Sequence, residues 1–367
     1  MGYSRRVAEG AGNIVATHRG STIATGTQLA ANVARLGWFY AINRALDRQA
    51  RRLGQRPAYK PKRPVPSQQE LMASLGQLLL ADADAVGLGL YAAAETDPDG
   101  MTGIMARVRE MFAEFPEALA RREAADAGSA SRQPGAEGLP GYYVQDFHFQ
   151  SGGYLSERSA RIYDVQVETL FYGAAQAMRR AALRFVAEAI IGRDQRQLSL
   201  LDVACGTGRL LRDARLAWPA LGLTGIDLSA AYLAEARRHI GSLRPIHLVE
   251  GNAEAIPLPD ASQDIVTCVF LFHELPPDVR RVVAAEIARV LKPGGVLVFV
   301  DSLQMGDKPG WDGLLEAFPV RFHEPYFRGY AIDDLDALFG GAGLAAEAQS
   351  LAFLSKVMVR RKASVER

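Results

Sequence analysis

The sequence has little cysteine, almost no net charge and no long apolar run. Two cysteines among 367 residues are too few for a disulfide framework, which excludes a small disulfide-rich scaffold and favours a reducing cytoplasm. The 42 Lys and Arg residues nearly balance the 41 Asp and Glu residues, so the composition does not indicate binding to nucleic acid or to an anionic membrane. Neither a signal segment nor an apolar run of membrane-spanning length is visible, so we expect a cytoplasmic protein without a membrane span.

The length of the chain suggests two structural units. Helical spacing of apolar residues, interrupted by a Pro-rich basic connector at residues 56–66, predicts a helical N-terminal domain over residues 1–128. Residues 129–141 are rich in Ala, Gly, Ser and Pro and predict a flexible linker, after which a second domain covers residues 142–367. The helical domain could act as a lid, as the interface of a homodimer or as a substrate-binding partner, and the sequence does not choose among these roles.

The second domain shows alternating strand and helix patterns. A long helix is predicted over residues 156–191, and strands alternate with helices from Ser199 onward. Such alternation produces right-handed crossovers and a parallel sheet with helices on both faces. The sequence therefore predicts an α/β fold for this part of the chain.

The segment from Leu200 to Leu211 combines a buried strand, a glycine turn and the start of a helix. Gly206 and Gly208 allow unusual backbone angles and a close approach to a ligand, and the following helix offers unpaired N–H groups. The dinucleotide fingerprint requires a third glycine where Leu211 stands. The segment therefore predicts a cofactor-binding turn and weakens the interpretation as a nicotinamide dehydrogenase.

This segment resembles motif I of the class I S-adenosylmethionine-dependent methyltransferases. In that family an acidic residue, here Asp202, precedes a glycine-rich turn that holds the methionine end of the cofactor, and Ala204 stands at the position of the usual first glycine. The resemblance implies a doubly wound, Rossmann-like sheet of seven strands, with the helical N-terminal domain as an addition. Residues 343–351 and 353–360 suit its two final strands, the last of them antiparallel.

An acid at the end of the second strand is the next expected feature. Asp227 lies nineteen residues beyond Gly208, where a carboxylate can accept hydrogen bonds from both ribose hydroxyls. The alternative is a simple cap for the helix that follows Ser229. In combination with the glycine turn, we interpret Asp227 and its neighbour Leu228 as part of a cofactor site.

The segment from Gly251 to Leu258 resembles the Gly-Asp-Ala-Glu-x-x-Pro sequence of ubiquinone- and menaquinone-type methyltransferases. The resemblance implies that Asn252, at the Asp position, contacts the adenine amino group, and that Ala253 offers a backbone contact. The Leu-Lys-Pro-Gly-Gly sequence that begins at Leu291 also looks like a motif of the family, with a structural role.

An aromatic segment precedes the long helix. In the family resembled, this position often folds over the cofactor, so we expect a lid between Tyr142 and Tyr154; the alternative is a cluster that only joins the two domains. Together with the motifs above, this gives the predicted cofactor-binding residues: Tyr154, Tyr163, Asp202, Ala204, Gly206, Gly208, Asp227, Leu228, Asn252, Ala253 and Phe270.

Two histidines are candidates for a general base. His273 follows the fourth strand, where ligands bind in parallel sheets, and His323 lies among aromatic residues that suggest a flat or apolar acceptor. For His273 the alternative is a histidine that only bonds a neighbouring backbone group. No metal site is predicted from the sequence.

The sequence thus predicts a methyltransferase that uses S-adenosylmethionine to methylate O, N or C of a small, aromatic or apolar molecule. Two alternatives remain: a catalytically silent scaffold that binds the cofactor, and an enzyme whose N-terminal domain recruits a macromolecule. Nucleic acid is not the expected substrate, because the Asn/Asp-Pro-Pro-aromatic signature of amine-methylating enzymes is replaced by Phe272-His273-Glu274-Leu275-Pro276. The identity of the acceptor is not encoded in any motif.

Overall fold

The computed structural model describes residues 20–55, 59–95 and 97–364. Residues 1–19 of the predicted helical domain and residues 56–58 of the predicted connector lie outside this description. The helices are α1 Thr22–Arg52, α2 Gln68–Gly87, α3 Gly100–Ala124, α4 Glu157–Leu170, α5 Ala175–Ile190, α6 Arg209–Ala217, α7 Ala230–Ile240, α8 Pro277–Val290, α9 Asp312–Arg321, α10 Phe327–Tyr330 and α11 Leu335–Gly341. The strands are β1 Ser199–Val203, β2 Gly222–Asp227, β3 His247–Glu250, β4 Gln263–Val269, β5 Leu291–Ser302, β6 Leu344–Ala352 and β7 Ser355–Lys362.

The strands form one seven-stranded sheet in the order β3-β2-β1-β4-β5-β7-β6. Strands β1 to β5 pair in parallel, and β7 runs antiparallel to both β5 and β6. The order reverses between β1 and β4, which is where an open parallel sheet binds its ligands. The predicted doubly wound, Rossmann-like fold with a final antiparallel strand is confirmed.

Both faces of the sheet are covered. Leu200 of β1 belongs to the apolar core on one face, together with helices α5 and α6, and its neighbour Leu201 belongs to the core on the other face, together with α8. Successive side chains of a strand point to opposite faces, so a run of apolar residues fits a strand that is buried on both sides. This packing fixes the carboxyl ends of β1, β2 and β4 side by side.

The N-terminal helices share the core of the sheet domain. Leu75 and Leu79 of α2 pack in the same apolar cluster as Met178 and Leu183 of α5. The long helix α1 lies against α2, α4 and α3. The domain bounds at residues 128 and 142 stay a prediction, and the structure shows helices joined to the sheet by apolar contact.

The predicted linker contains a buried turn. Ala130 is fully buried, and the backbone N–H groups of Ser129 and Ala130 donate to the Asp146 carboxylate at 2.9 and 2.7 Å. This contact ties the segment to the start of the aromatic region.

The sequence predicts one helix over residues 156–191, and this prediction is wrong, because the structure has two helices, α4 and α5, with an interruption between them. The chain leaves α4 and begins α5 through Tyr172 and Gly173, which have φ angles of 53° and 82°. These angles lie outside the right-handed helical region. A Cβ at Gly173 would lie 3.0 Å from the carbonyl oxygen of Arg35 in α1, so α1 packs directly on the interruption.

In residues 20–55, 59–95 and 97–364, no helix has the length and the apolar character needed to cross a bilayer.

Candidate functional site

A cavity opens at the carboxyl ends of β1, β2 and β4. Nine of the eleven predicted cofactor-binding residues line it: Tyr154, Tyr163, Ala204, Gly206, Asp227, Leu228, Asn252, Ala253 and Phe270. These residues come from six separate segments, and the strand order brings together those that follow β1, β2, β3 and β4. The cavity therefore lies at the edge of the sheet where ligands of doubly wound folds bind.

The glycine turn leaves open space above the sheet. Ala204, Gly206 and Gly208 have φ angles of 55°, 54° and 73°, so the turn needs residues that tolerate the left-handed region. An added Cβ at Gly206 would meet no atom within 4 Å, whereas one at Gly208 would lie 3.0 Å from Ala236 in α7. Gly206 thus faces the cavity, and Gly208 allows α7 to pack closely.

Asp227 faces the same cavity. Its Oδ2 accepts the backbone N–H of Gly206 at 2.8 Å, and its Oδ1 accepts the backbone N–H of Ser229 at 2.9 Å. Burial raises the pKa of Asp227 to about 6, while the N–H groups of Ser229 and Gly206 oppose the shift. Each carboxylate oxygen has a second lone pair, so both oxygens can still accept a hydroxyl from a ligand.

Asp202 lies below the turn and does not line the cavity. It is buried, and its Oδ1 accepts the hydroxyl of Thr267 on β4 at 2.7 Å. Burial raises the pKa of Asp202 to about 7, against the effect of the Thr267 hydrogen bond. The structure therefore shows Asp202 as a group that joins β1 to β4, and its predicted contact with a cofactor stays a prediction.

Asn252 lines the cavity with its amide already engaged. The Oδ1 atom accepts the backbone N–H of Glu254 at 2.9 Å, and Nδ2 donates to Glu254 Oε1 at 3.1 Å. The hydroxyl of Tyr142 donates to the same Glu254 oxygen at 2.5 Å. These bonds hold Asn252 and the aromatic segment in fixed positions, and the predicted adenine contact stays a prediction.

Aromatic rings form the outer wall of the cavity. Tyr154 packs on Phe147 and, edge to face, on Tyr163 and Tyr232 at centroid distances of 5.4, 6.3 and 5.4 Å. Tyr143 lies 6.0 Å from Tyr154 on the same side. The predicted lid segment therefore lies over the cavity. Tyr232 was missed, because its position in α7 gives no local signal beyond an apolar face.

Neither of the two histidines predicted as a general base lines the cavity. His273 Nδ1 lies 2.6 Å from Asp301 Oδ1, and although burial disfavours its charge, Asp301 raises the pKa of His273 to about 10. His323 Nε2 lies 2.8 Å from Gln145 Oε1, and burial lowers the pKa of His323. The catalytic roles of both residues stay predictions, and the structure places their rings behind the wall.

Glu274 is the carboxylate that faces the cavity beside Tyr154. The Tyr154 hydroxyl donates to Glu274 Oε1 at 2.5 Å. Burial raises the pKa of Glu274 to about 7, while His273 and the Tyr154 hydrogen bond oppose the shift. The sequence predicts His273 as a general base, because it follows the fourth strand. Burial gives the neighbouring Glu274 a pKa near neutrality here.

The sequence is similar to known methyltransferases over part of its length. Residues 200–295 match the family described as a methyltransferase domain. A ubiquinone/menaquinone biosynthesis C-methyltransferase of Methylobacterium nodulans is 35% identical over 165 residues, which cover 44% of this chain and 63% of that protein. A demethylmenaquinone methyltransferase of Deinococcus radiodurans is 36% identical over 140 residues, which cover 38% of this chain and 55% of that protein. The chain thus spans somewhat over half the length of these relatives.

Two solved structures of methyltransferases are among those that match part of this chain. A SAM-dependent methyltransferase from Aquifex aeolicus is 20% identical, with a TM-score of 0.37, and the match covers 49% of this chain and 88% of that one. A SAM-dependent methyltransferase from Methanosarcina mazei is 19% identical, with a TM-score of 0.38, and the match covers 47% of this chain and 95% of that one.

Proposed function

Because residues 200–295 match a methyltransferase domain family, we propose that this protein transfers the methyl group of S-adenosylmethionine to O, N or C of a small molecule. The observation that supports this most is the joint position of Gly206 and Asp227 at one cavity. The turn offers space, and the acid offers hydrogen-bond acceptors. The sulfonium of the bound cofactor supplies the reactive methyl group, so the protein needs no nucleophile of its own.

The cavity residues fit this cofactor. Asp227 would accept the two ribose hydroxyls, because each of its oxygens keeps a free lone pair beside one backbone N–H. Gly206 would allow the amino-acid end to lie on the turn without a Cβ in the way. Asn252 and Ala253 line the cavity at the end of β3, which suits the adenine ring.

The wall of the cavity supports a flat, apolar acceptor. Tyr143, Phe147 and Tyr154 face the cavity, and aromatic rings stack well on other rings. The curated relatives are named for ubiquinone and menaquinone biosynthesis, which also favours an aromatic acceptor. Glu274 is the charged group at this end, and we infer that the acceptor's polar group lies near it.

Alignment and exclusion of water are what this chain would contribute to the reaction. A displacement at carbon requires the acceptor atom and the methyl group in line, and a closed wall holds both partners in that geometry. The aromatic segment closes the cavity over Asp227 and is anchored by Tyr142 to Glu254. A cytoplasmic location and a homodimer through the N-terminal helices stay predictions from the sequence.

The test uses methyl-labelled S-adenosylmethionine and fractionated cell extract. We expect label in a small-molecule fraction, no label with Asp227→Ala, and normal labelling with Asp260→Ala, the same change at an exposed acid. Binding of the cofactor without transfer to any fraction would support the silent scaffold instead. Label in protein or RNA would support the macromolecular alternative.

A further inference from the structure

Three potential metal ligands converge behind the aromatic wall. One nitrogen of His148 and one carboxylate oxygen each from Glu274 and Glu324 all lie within 4.8 Å of one another. The three residues come from distant parts of the chain: the turn at Phe147–Phe149, the turn at Phe272–Glu274, and the loop after α9. Their spacing in the sequence follows no metal-binding pattern, which is why no metal site was predicted.

The Glu324 carboxylate is buried, and no described residue forms a hydrogen bond with it. None of its side-chain surface is exposed, and in the described part of the chain neither of its oxygens has a hydrogen bond. Oε1 lies 3.0 Å from His148 Nε2, but the two atoms do not have hydrogen-bond geometry. A buried carboxylate is unfavourable unless a charge or several donors compensate it. A ligand that binds Glu324 Oε1 and His148 Nε2 at once would remove the cost of burying this carboxylate.

Within the part of the chain that the structure describes, the His273 ring is a cationic group beside the two carboxylates, and it is already paired with Asp301. His273 Nε2 lies 3.9 Å from Glu274, while Nδ1 of the same ring is engaged with Asp301 at 2.6 Å. On the other side, the ring of His148 packs against Phe318 and Phe322 at centroid distances of 6.1 and 5.6 Å. Asp301 already balances the charge of His273, so a divalent cation would balance the charges of the two carboxylates in this buried pocket.

We propose that His148, Glu274 and Glu324 bind one divalent transition-metal ion, of which Zn²⁺ is the best match. An imidazole nitrogen favours Zn²⁺ over Mg²⁺ or Ca²⁺, and carboxylate oxygens complete its usual ligand set. Three protein ligands leave a coordination position for a further group. Tyr154 donates to Glu274 Oε1 and would hold this ligand in orientation, as outer-shell hydrogen bonds do at metal sites.

Of the three ligands, Glu274 lines the cavity while His148 and Glu324 do not, so the ion would border the acceptor end of the cavity. A metal at this position can bind and polarise an oxygen of the acceptor. This catalytic role rests on the proposed methyl transfer, whereas binding of the ion does not.

The experiment measures Zn²⁺ binding by the full chain after treatment with chelator and dialysis. Metal content measured by mass spectrometry and competition with a chromophoric chelator should both show one tightly bound Zn²⁺ ion per chain. His148→Gln and Glu324→Gln should each weaken binding at least about tenfold, since even outer-shell changes cost that much at metal sites. His247→Gln and Glu347→Gln, at exposed positions of β3 and β6, should bind as the unchanged protein does.

Co²⁺ provides a second readout, because its spectrum reports the ligand set directly. Its visible absorption should show imidazole and carboxylate ligation in the unchanged protein, and Glu274→Gln should alter the spectrum even if a Glu324 variant folds poorly. No tight equivalent, or a tight equivalent that all three variants retain, would overturn the proposal. Cofactor binding measured in the same samples separates the two proposals. Binding of S-adenosylmethionine without binding of Zn²⁺ would contradict only the metal site. Binding of Zn²⁺ without binding of S-adenosylmethionine would contradict only the proposed function.

Discussion

The backbone N–H of Gly206 donates to Asp227 Oδ2 at 2.8 Å. The turn after β1 and the acid at the end of β2 are therefore one hydrogen-bonded unit, although twenty residues separate them in the sequence. A change on either side should affect the same ligand.

Gly206→Ala should weaken binding of S-adenosylmethionine more than it lowers stability. The new Cβ meets no protein atom but enters the space above the turn. The positive φ of 54° costs about 1 kcal/mol for alanine. Gly192→Ala is the matched control, because Gly192 also has a positive φ, 74°, and open space around it. Calorimetric titration should show reduced affinity for the first variant alone, and equal affinities would contradict the placement of the cofactor on the turn.

Cofactor affinity should fall as the pH falls through about 6. Burial raises the pKa of Asp227 to about 6, and a protonated carboxyl loses acceptor capacity for the ribose hydroxyls. The dissociation constant should rise by up to about tenfold per pH unit below that value. Titrations between pH 5 and 8 measure this. Asp227→Asn should bind the cofactor weakly, and its affinity should not change with pH around 6. An identical pH profile in both proteins would exclude Asp227 as the source of the pH dependence.

Asp202→Asn should flatten the pH dependence of stability between pH 4 and 7. Burial raises the pKa of Asp202 from 3.8 to about 7, so in this window the native state binds more protons than the unfolded state. The free energy of unfolding therefore falls as the pH rises, and the penalty is complete above about pH 7. The slope attributable to this group is on the order of 1.4 kcal/mol per pH unit. Urea unfolding at pH 5, 6 and 7 checks it, and an unchanged slope in the variant would contradict it.

Arg209→Gln should destabilise the protein strongly. The Arg209 guanidinium at the start of α6 donates to Asp97 and Asp164 at 2.8 Å each. Both carboxylates are buried, so removal of their partner should cost roughly 3 kcal/mol. Arg193→Gln is the control, because Arg193 is half exposed in its pair with Asp264, and its loss should cost less than about 1 kcal/mol. Equal unfolding free energies for the two variants would show that Asp97 does not tie the N-terminal part to the glycine turn.

The sheet and the turn could be predicted because their signals are local. A run of apolar residues into Gly206, and an acid after the next strand, are patterns within about thirty residues of sequence, and parallel strands bring their ends together without further information. The interruption at Gly173 was missed, because α1 packs on it from a distant part of the chain. His148, Glu274 and Glu324 meet only through tertiary packing, so sequence spacing contains no sign of their cluster.

The most direct test of the central claim is calorimetric titration of the full chain with S-adenosylmethionine, beside Asp227→Ala. We predict a saturable heat with one site per chain in the unchanged protein, and a dissociation constant at least about thirtyfold higher in the variant, because hydrogen bonds to a charged carboxylate contribute about 2 kcal/mol. No saturable heat in the unchanged protein, or equal affinity in Asp227→Ala, would contradict the account.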